Sequence, residues 1–272
     1  MRRILLVLVL CLGFVSAAAA QVFTERMNSI PDITQTDPKV KFPHGGFHYC
    51  GPAAVSNSLM WLAANGYDKL LPKKGCPTGT QAEMACLLGE KYMETRLDEG
   101  TSPAALLEGV AQFIKDCGYR YSKLQYEGWR QHPSQFDTGV VAPNLDWIKS
   151  GLLPGDSAVW LNLGWYRHDR KTDRYERLGG HWITLVGFGA DKNGKEDPNS
   201  LVVHDPAKLG QSGRNEYIRV EKIATGQIHG ASGVFVNAAG FHKIADGLNL
   251  RNESDVAILD GAVVLQMLAK SI

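Results

Sequence analysis

Residues 49–66 read YCGPAAVSNSLMWLAANG, and this one stretch carries both the best-marked helix and the first candidate reactive group of the chain. Ala54, Val55, Leu59, Leu62 and Ala63 recur at helical spacing, Pro52 suits a first turn where a missing N–H costs nothing, and Asn65-Gly66 supplies a left-handed stop. The spacing therefore predicts a helix opening at Tyr49-Cys50-Gly51-Pro52. Cys50 stands at its start, where unpaired backbone N–H groups and the helix dipole favour negative charge. Such placement can bring a thiol pKa from about 8.5 into the range of roughly 3.5–7.5.

Working outward, Thr80-Gln81-Ala82-Glu83 spells a capping box and leads into Met84, Leu87 and Leu88, a second helix. A third starts with Ser102 as cap and Pro103 in the first turn, carries Leu106, Leu107, Val110, Phe113 and Ile114, and stops at Gly118. From about Ser157 the texture changes. Ala158 to Leu163, His181 to Phe188, Leu201 to Val203, Tyr217 to Val220 and Val234 to Val236 read as strands. Turn chemistry lies between them at Gly179-Gly180 and at Asn193-Gly194, inside a polar loop from Asp191 to Asn199. The tail from Val256 to Leu268 fits either a strand or a helix. Helices followed by strands imply an α+β fold with an N-terminal helical half and a C-terminal, mostly antiparallel sheet. No repeat, low-complexity tract or linker divides residues 21–272, which read as a single domain opening on a polar lead from Gln21 to Gly46.

Composition narrows the function classes. With 29 Lys+Arg against 28 Asp+Glu, a net charge of +1 and 44% hydrophobic residues, the chain is neither disordered nor collagen-like. No run of like charge offers a footprint for nucleic acid or an anionic membrane. Residues 1–20 join Arg2 and Arg3 to an apolar run from Ile4 to Val15 and end in Ala17-Ala18-Ala19-Ala20, a secretory signal peptide with a cut expected after Ala20. The run falls short of the roughly 20 residues that span a bilayer. The mature protein is expected to be secreted or periplasmic, with no membrane attachment after cleavage. Export makes disulfides possible among Cys50, Cys76, Cys86 and Cys117, and a local Cys76–Cys86 bridge is geometrically easy. Cys50 could itself be bridged, as in a disulfide-stapled structural protein. The absence of a C-x-x-C pair argues against a thioredoxin-like site or a zinc ribbon.

A thiolate nucleophile needs an imidazole to share and return the proton, and a third group to orient that imidazole. Of 8 histidines, His181 stands out at the mouth of the strand Trp182 to Phe188. If the chain reverses around Asn193-Gly194, cross-strand partners sum to about 387, which brings His181 within reach of Asp205 in Val203-His204-Asp205-Pro206. Strand alternation turns His204 to the opposite face. Cys50, His181 and Asp205 are thus the candidate catalytic residues.

Tyr49-Cys50-Gly51-Pro52-Ala53-Ala54 opening a helix, Gly180-His181-Trp182-Ile183 on a strand and Asp205-Pro206 closing the next resemble the papain-like bacteriocin-processing (double-glycine) cysteine peptidase family, most closely its stand-alone exported relatives. The likeness covers most of residues 45–210, including Gly100-Thr101-Ser102-Pro103 and Leu153 to Leu163. It implies a papain-like fold with the site in the cleft between helices and sheet. Cys50 would then be nucleophile, His181 base and acid, and Asp205 the orienting group. Where the family has an oxyanion-hole glutamine six residues before the cysteine, this chain has His44, so the donor is expected from His44, His48 or Gln35. No second long apolar segment and no G-x-x-x-x-G-K-[ST] loop stands in the sequence, so a transporter-linked member is not expected.

The expected function is an exported thiol peptidase or amide hydrolase acting on a peptide or protein through an acyl-enzyme. The alternatives are an acyltransferase using the same triad, and a catalytically impaired papain-like module that binds peptides or cell-wall material. No cofactor and no metal are expected, since Gly45-Gly46 keeps His44 and His48 off a shared helix face and no third ligand is spaced to join them. Trp160, Trp165 and Trp182 are expected to fill the core or line the cleft. Asn252-Glu253-Ser254 is a glycosylation sequon, and Arg167-His168-Asp169-Arg170-Lys171 reads as a solvated hairpin tip.

Overall fold

Helix α1 runs Cys50–Ala64 and is buried on almost every side, from Cys50 through Leu59. A helix clothed this way belongs inside a core rather than at its edge, and its small residues let strands approach closely: Thr184 Oγ1 reaches the Ala54 carbonyl at 2.8 Å. The expected stop is in place, with Asn65 closing the last turn and Gly66 at φ +107°. This arrangement comes from a computed structural model that describes residues 21–71, 80–207, 215–230, 233–251 and 253–268. The expected signal peptide, Cys76 of the expected bridge and Asn252 of the sequon lie outside the described residues.

Helix α2, Thr80–Leu87, passes directly into a π-turn at Leu88–Tyr92. Helix α3, Pro103–Asp116, is capped by Ser102, whose Oγ accepts the Ala105 N–H at 3.1 Å, and Gly118 follows at φ +78°. A fourth helix, α4 at Leu145–Leu152, was not expected from the sequence. It is nucleated by Asn144, whose Oδ1 accepts the N–H groups of Asp146 and Trp147, and is anchored by Ile148 and Leu152.

The strands are β1 Tyr121–Gly128, β2 Ser157–Asp169, β3 Arg174–Ala190, β4 Glu196–His204, β5 Glu216–Lys222, β6 Gln227–His229, β7 Phe235–Asn237, β8 His242–Asp246 and β9 Val256–Met267. Among them only β3 and β6 pair in parallel. The pairings β2–β3, β3–β4, β4–β5, β5–β8, β8–β9 and β9–β2 are all antiparallel and close on themselves as a six-strand barrel. The tail is strand, and β9 also holds β1, so the first half of the chain is not purely helical. Two further expectations differ. Gly179-Gly180 is not a turn but part of β3, where the missing side chain at Gly180 leaves room for the Arg177 guanidinium. Arg167, His168 and Asp169 are not at the hairpin tip but extend β2, because the His168 ring stacks on Tyr175 at 4.0 Å across the hairpin.

Alternation along β2 gives the sheet two cores. Ala158 and Trp160 face the helices and pack in one cluster with Cys50, Leu59, Leu107 and Trp182. Val159, Leu161 and Leu163 face the other way, joining Ile183, Leu185, Val203 and Val220 inside the barrel, which α4 closes with Ile148 and Leu152. The polar lead is structured too. Phe23 and Phe188 exchange backbone hydrogen bonds at 2.9 and 2.8 Å, and buried Arg26 donates to the Ser157 carbonyl at 2.8 Å while lying 4.4 Å above the Trp61 ring. Among the described residues no helix is long and apolar enough to cross a membrane.

Candidate active site

The helix start is held open for Cys50 by what surrounds it. The Ala53 N–H to Tyr49 carbonyl bond, 3.0 Å, begins the ladder, so the N–H groups of Cys50 and Gly51 precede it and remain to act on a negative charge. Gly51 has no side chain because a Cβ there would stand 2.8 Å from Thr101 Cβ. From the barrel, β3 delivers His181, and the turn after β4 delivers Asp205. The observed register, Thr184 opposite His204 and Leu185 opposite Val203, lies one position from the expected one.

The structure brings the three expected residues together. His181 Nε2 is 2.5 Å from Asp205 Oδ1, which also accepts the Ala207 N–H at 2.9 Å. The Cys50 thiol and the His181 imidazole are hydrogen-bond partners. With Nε2 engaged by Asp205, Nδ1 is left to exchange a proton with sulfur. Cys50 is a free thiol, which removes the reading in which it is bridged. All three are buried, at 8%, 4% and 6% exposure for Cys50, His181 and Asp205. His204 turns away, as expected, and bonds Asn215 Oδ1 at 3.1 Å.

Electrostatics favour the charged forms. Burial pushes the Cys50 thiol up, but the hydrogen bond and charge of His181, with the backbone N–H groups of Trp182 and Gly51, bring it below its ordinary value. Burial pulls His181 down, yet the charge and hydrogen bond of Asp205, reinforced by Cys50, raise it to about 10. Burial opposes ionisation of Asp205, and His181, the Ala207 N–H and Arg251 overcome it, leaving a pKa of about 2. The arrangement favours a thiolate, an imidazolium and a carboxylate in series.

Three neighbours complete the site: Arg251, which sequence reasoning missed, and Trp165 and Gln35, which it named without these contacts. Trp165 stacks on the imidazole with ring centroids 5.9 Å apart. Arg251 approaches Asp205 Oδ2 at 4.0 Å and donates to the Ala207 carbonyl at 3.2 Å. Gln35, expected as a possible oxyanion donor, is committed elsewhere: its Nε2 donates to the carbonyls of Gly46 at 2.8 Å and Phe47 at 3.0 Å, and its backbone N–H bonds the Pro206 carbonyl at 2.6 Å. Gln35 therefore ties the loop before Cys50 to the turn that carries Asp205. No sequence signal marks these contacts, because each joins partners distant in the chain. Of the remaining candidates, His44 is exposed at φ +51° and His48 half-buried.

Among the described residues no three His, Cys, Asp or Glu side chains are grouped to hold a metal ion. A groove of about 830 Å³ bordered by Tyr92, Ala105, Arg120 and Phe136 contains none of the three site residues. No protein-family model matches the chain, and no curated protein matches it significantly.

Proposed function

We propose that the protein is an exported, papain-like thiol hydrolase that cleaves an amide bond in a peptide or protein. The single observation that carries the reading is the hydrogen-bonded Cys50–His181–Asp205 series, with the thiol at a helix start and the imidazole and carboxylate on a facing barrel. The barrel packed against helices, with the reactive groups divided between them, supports the papain-like assignment.

In the reaction, the Cys50 thiolate attacks the carbonyl carbon and the π electrons move to oxygen. The N–H groups of Cys50 and Gly51 supply hydrogen bonds to that oxyanion. As the intermediate collapses, the C–N bond breaks and His181 gives its proton to the leaving amine. Water then attacks the thioester, its proton passes to His181, and Cys50 departs as thiolate. An amine in place of water would make the same acyl-enzyme an acyl-transfer intermediate.

The test is alkylation of unreduced mature protein by iodoacetamide across pH 4–9, with peptide mapping of Cys50 in wild type and His181→Ala. Rapid labelling with an apparent pKa below that of an ordinary thiol, slowed by His181→Ala, is the expected result. An ordinary thiol pKa indifferent to His181 would reject the hydrolase. The second reading, a binding module without turnover, is favoured by the near-complete burial of Cys50 and by Gln35 having no Nε2 hydrogen left for an oxyanion. Screening for product release under conditions where Cys50 labels rapidly separates the two.

A further inference from the structure

Away from the triad, α1 and β3 meet again at a buried polar junction that no step of the chemistry uses. Its centre is Thr184, fully buried on β3 three residues after His181. The Thr184 hydroxyl donates to the Ala54 carbonyl at 2.8 Å and accepts Asn57 Nδ2–H at 3.2 Å, both partners lying on α1. Asn57 is fully buried as well. Its Oδ1 accepts Gln81 Nε2–H of α2 at 2.7 Å and the Ile33 N–H of the lead at 3.2 Å. Those two bonds fix the amide with its N–H toward Thr184. Four segments of the chain thus converge on two side chains.

This junction is the polar link between the two elements that carry the reactive pair. Apart from the contacts of Cys50 itself, every hydrogen bond between α1 and β3 among the described residues runs through Thr184. The nearby Trp182 indole is committed to the Thr101 carbonyl at 2.8 Å, ahead of α3 rather than on α1. No side chain caps the start of α1, and Gly51 to Val55 are all small or apolar. Apolar contact is non-directional and sets no register along or around a helix axis. A satisfied buried network specifies one arrangement.

Asn57 lies seven residues along α1 from Cys50, roughly 10 Å of helical rise, and Thr184 lies three residues along β3 from His181, roughly 10 Å of strand. Helix and strand are therefore joined at two places, at matching distances along both. A turn of α1 about its axis, or a slide along β3, would break the junction and part the thiol from the imidazole together. Misplacing a reacting group by about 1 Å can cost on the order of 10² in rate. Resting on the hydrolase reading above, we propose that Thr184 and Asn57 are positioning residues, which hold the Cys50 thiol in register with the His181 imidazole without touching the reacting atoms. Gln81 acts one step further out, by orienting the Asn57 amide.

The test is the pH profile of Cys50 labelling by iodoacetamide in the full mature protein, across wild type, Thr184→Val, Thr184→Ser, Gln81→Met, His181→Ala and Asn144→Ala. The last removes the cap of α4, which takes no part in the junction. Thr184→Val keeps the volume and loses the hydroxyl. It is expected to raise the apparent pKa of Cys50 by about one unit, which slows labelling about tenfold on the acid side of the profile, because the influence of His181 on the thiol falls with separation. Thr184→Ser keeps the hydroxyl and is expected to label within about twofold of wild type. Asn144→Ala, a loss of stability elsewhere, is expected to keep the wild-type profile. Gln81→Met removes one donor from a half-buried position and decides the matter if Thr184→Val does not fold; labelling about threefold slower on the acid side is expected. A wild-type profile in Thr184→Val, or in Gln81→Met where Thr184→Val does not fold, overturns the positioning role. So does a shift that Asn144→Ala reproduces or that Thr184→Ser does not rescue. An ordinary wild-type thiol pKa, indifferent to His181→Ala, rejects the hydrolase reading, and this inference falls with it.

Discussion

His181 decides the pH behaviour of the site because both of its ring nitrogens face groups that ionise to anions, Asp205 and Cys50. Its folded pKa of about 10 lies above the unfolded value near 6.5, so its pairing stabilises the fold fully below about 6.5 and that contribution is lost as pH rises through about 10. Asp205 runs the other way: its contribution is present above about 4 and is lost as pH falls through about 2. Cys50 ionises below its ordinary range. Turnover is therefore expected to hold a plateau through neutrality, with an acid limb set by protonation of the thiolate and an alkaline limb approaching pH 10. Asp205→Asn, which keeps shape but removes the charge, should pull the alkaline limb toward neutrality and lower kcat/KM by on the order of 10² or more, read from pH–rate profiles. Gln35 offers a contrasting test. Loss of an oxyanion donor costs about 10²–10³ in kcat. Because the Gln35 amide is spent on the Gly46 and Phe47 carbonyls, Gln35→Ala should instead cost roughly 1–3 kcal/mol of stability in urea unfolding, with kcat reduced by less than about tenfold. Cys50, His181 and Asp205 were legible because helix entry, strand mouth and hairpin register are local signals. The roles of Gln35 and Arg251 were not, since what each does is fixed by the fold rather than by its neighbours in sequence.

Elements with explicit punctuation matched their expectations. In α1 and α3, Pro near the start and Gly beyond the end fix the boundaries, and the structure places both helices accordingly. Helix α4 escaped notice because two turns between Pro143 and Pro154 leave too few apolar positions to establish a period, although Asn144 is a strong cap. That cap yields a prediction at this scale. Asn144→Ala removes the acceptor for two N–H groups and should cost about 1 kcal/mol in chemical denaturation, leaving the Cys50 labelling rate close to wild type. Strands β2 and β3 run well past their expected ends because charged residues and glycines interrupt the apolar alternation that marks a strand. His168, Tyr175, Arg177 and Gly180 have cross-strand or buried partners that composition does not reveal.

On the scale of the molecule, α+β architecture was readable from the succession of helices and strands, whereas closure of the barrel was not. Closure depends on β9, whose partners β1 and β2 lie ninety or more positions upstream, and no local pattern encodes such pairing. The resulting sheet separates a helix-facing core from a barrel core, and the site lies where the two halves meet. Strand β9 also has a temporal consequence. Val256–Met267 follow, in sequence, every strand they join, so as a chain emerges β1, β2 and β8 each keep an unsatisfied edge until this stretch arrives. Non-local pairing of this kind slows folding, and open edges invite association with other chains. Val263→Asp, which sets a charge at a fully buried point of β9, should yield a chain that aggregates on refolding rather than one that folds and unfolds reversibly at lower temperature, a difference that light scattering during dilution from urea would reveal. The half-assembled chain is thus a sticky intermediate, and its last strand is the latch that shuts the barrel.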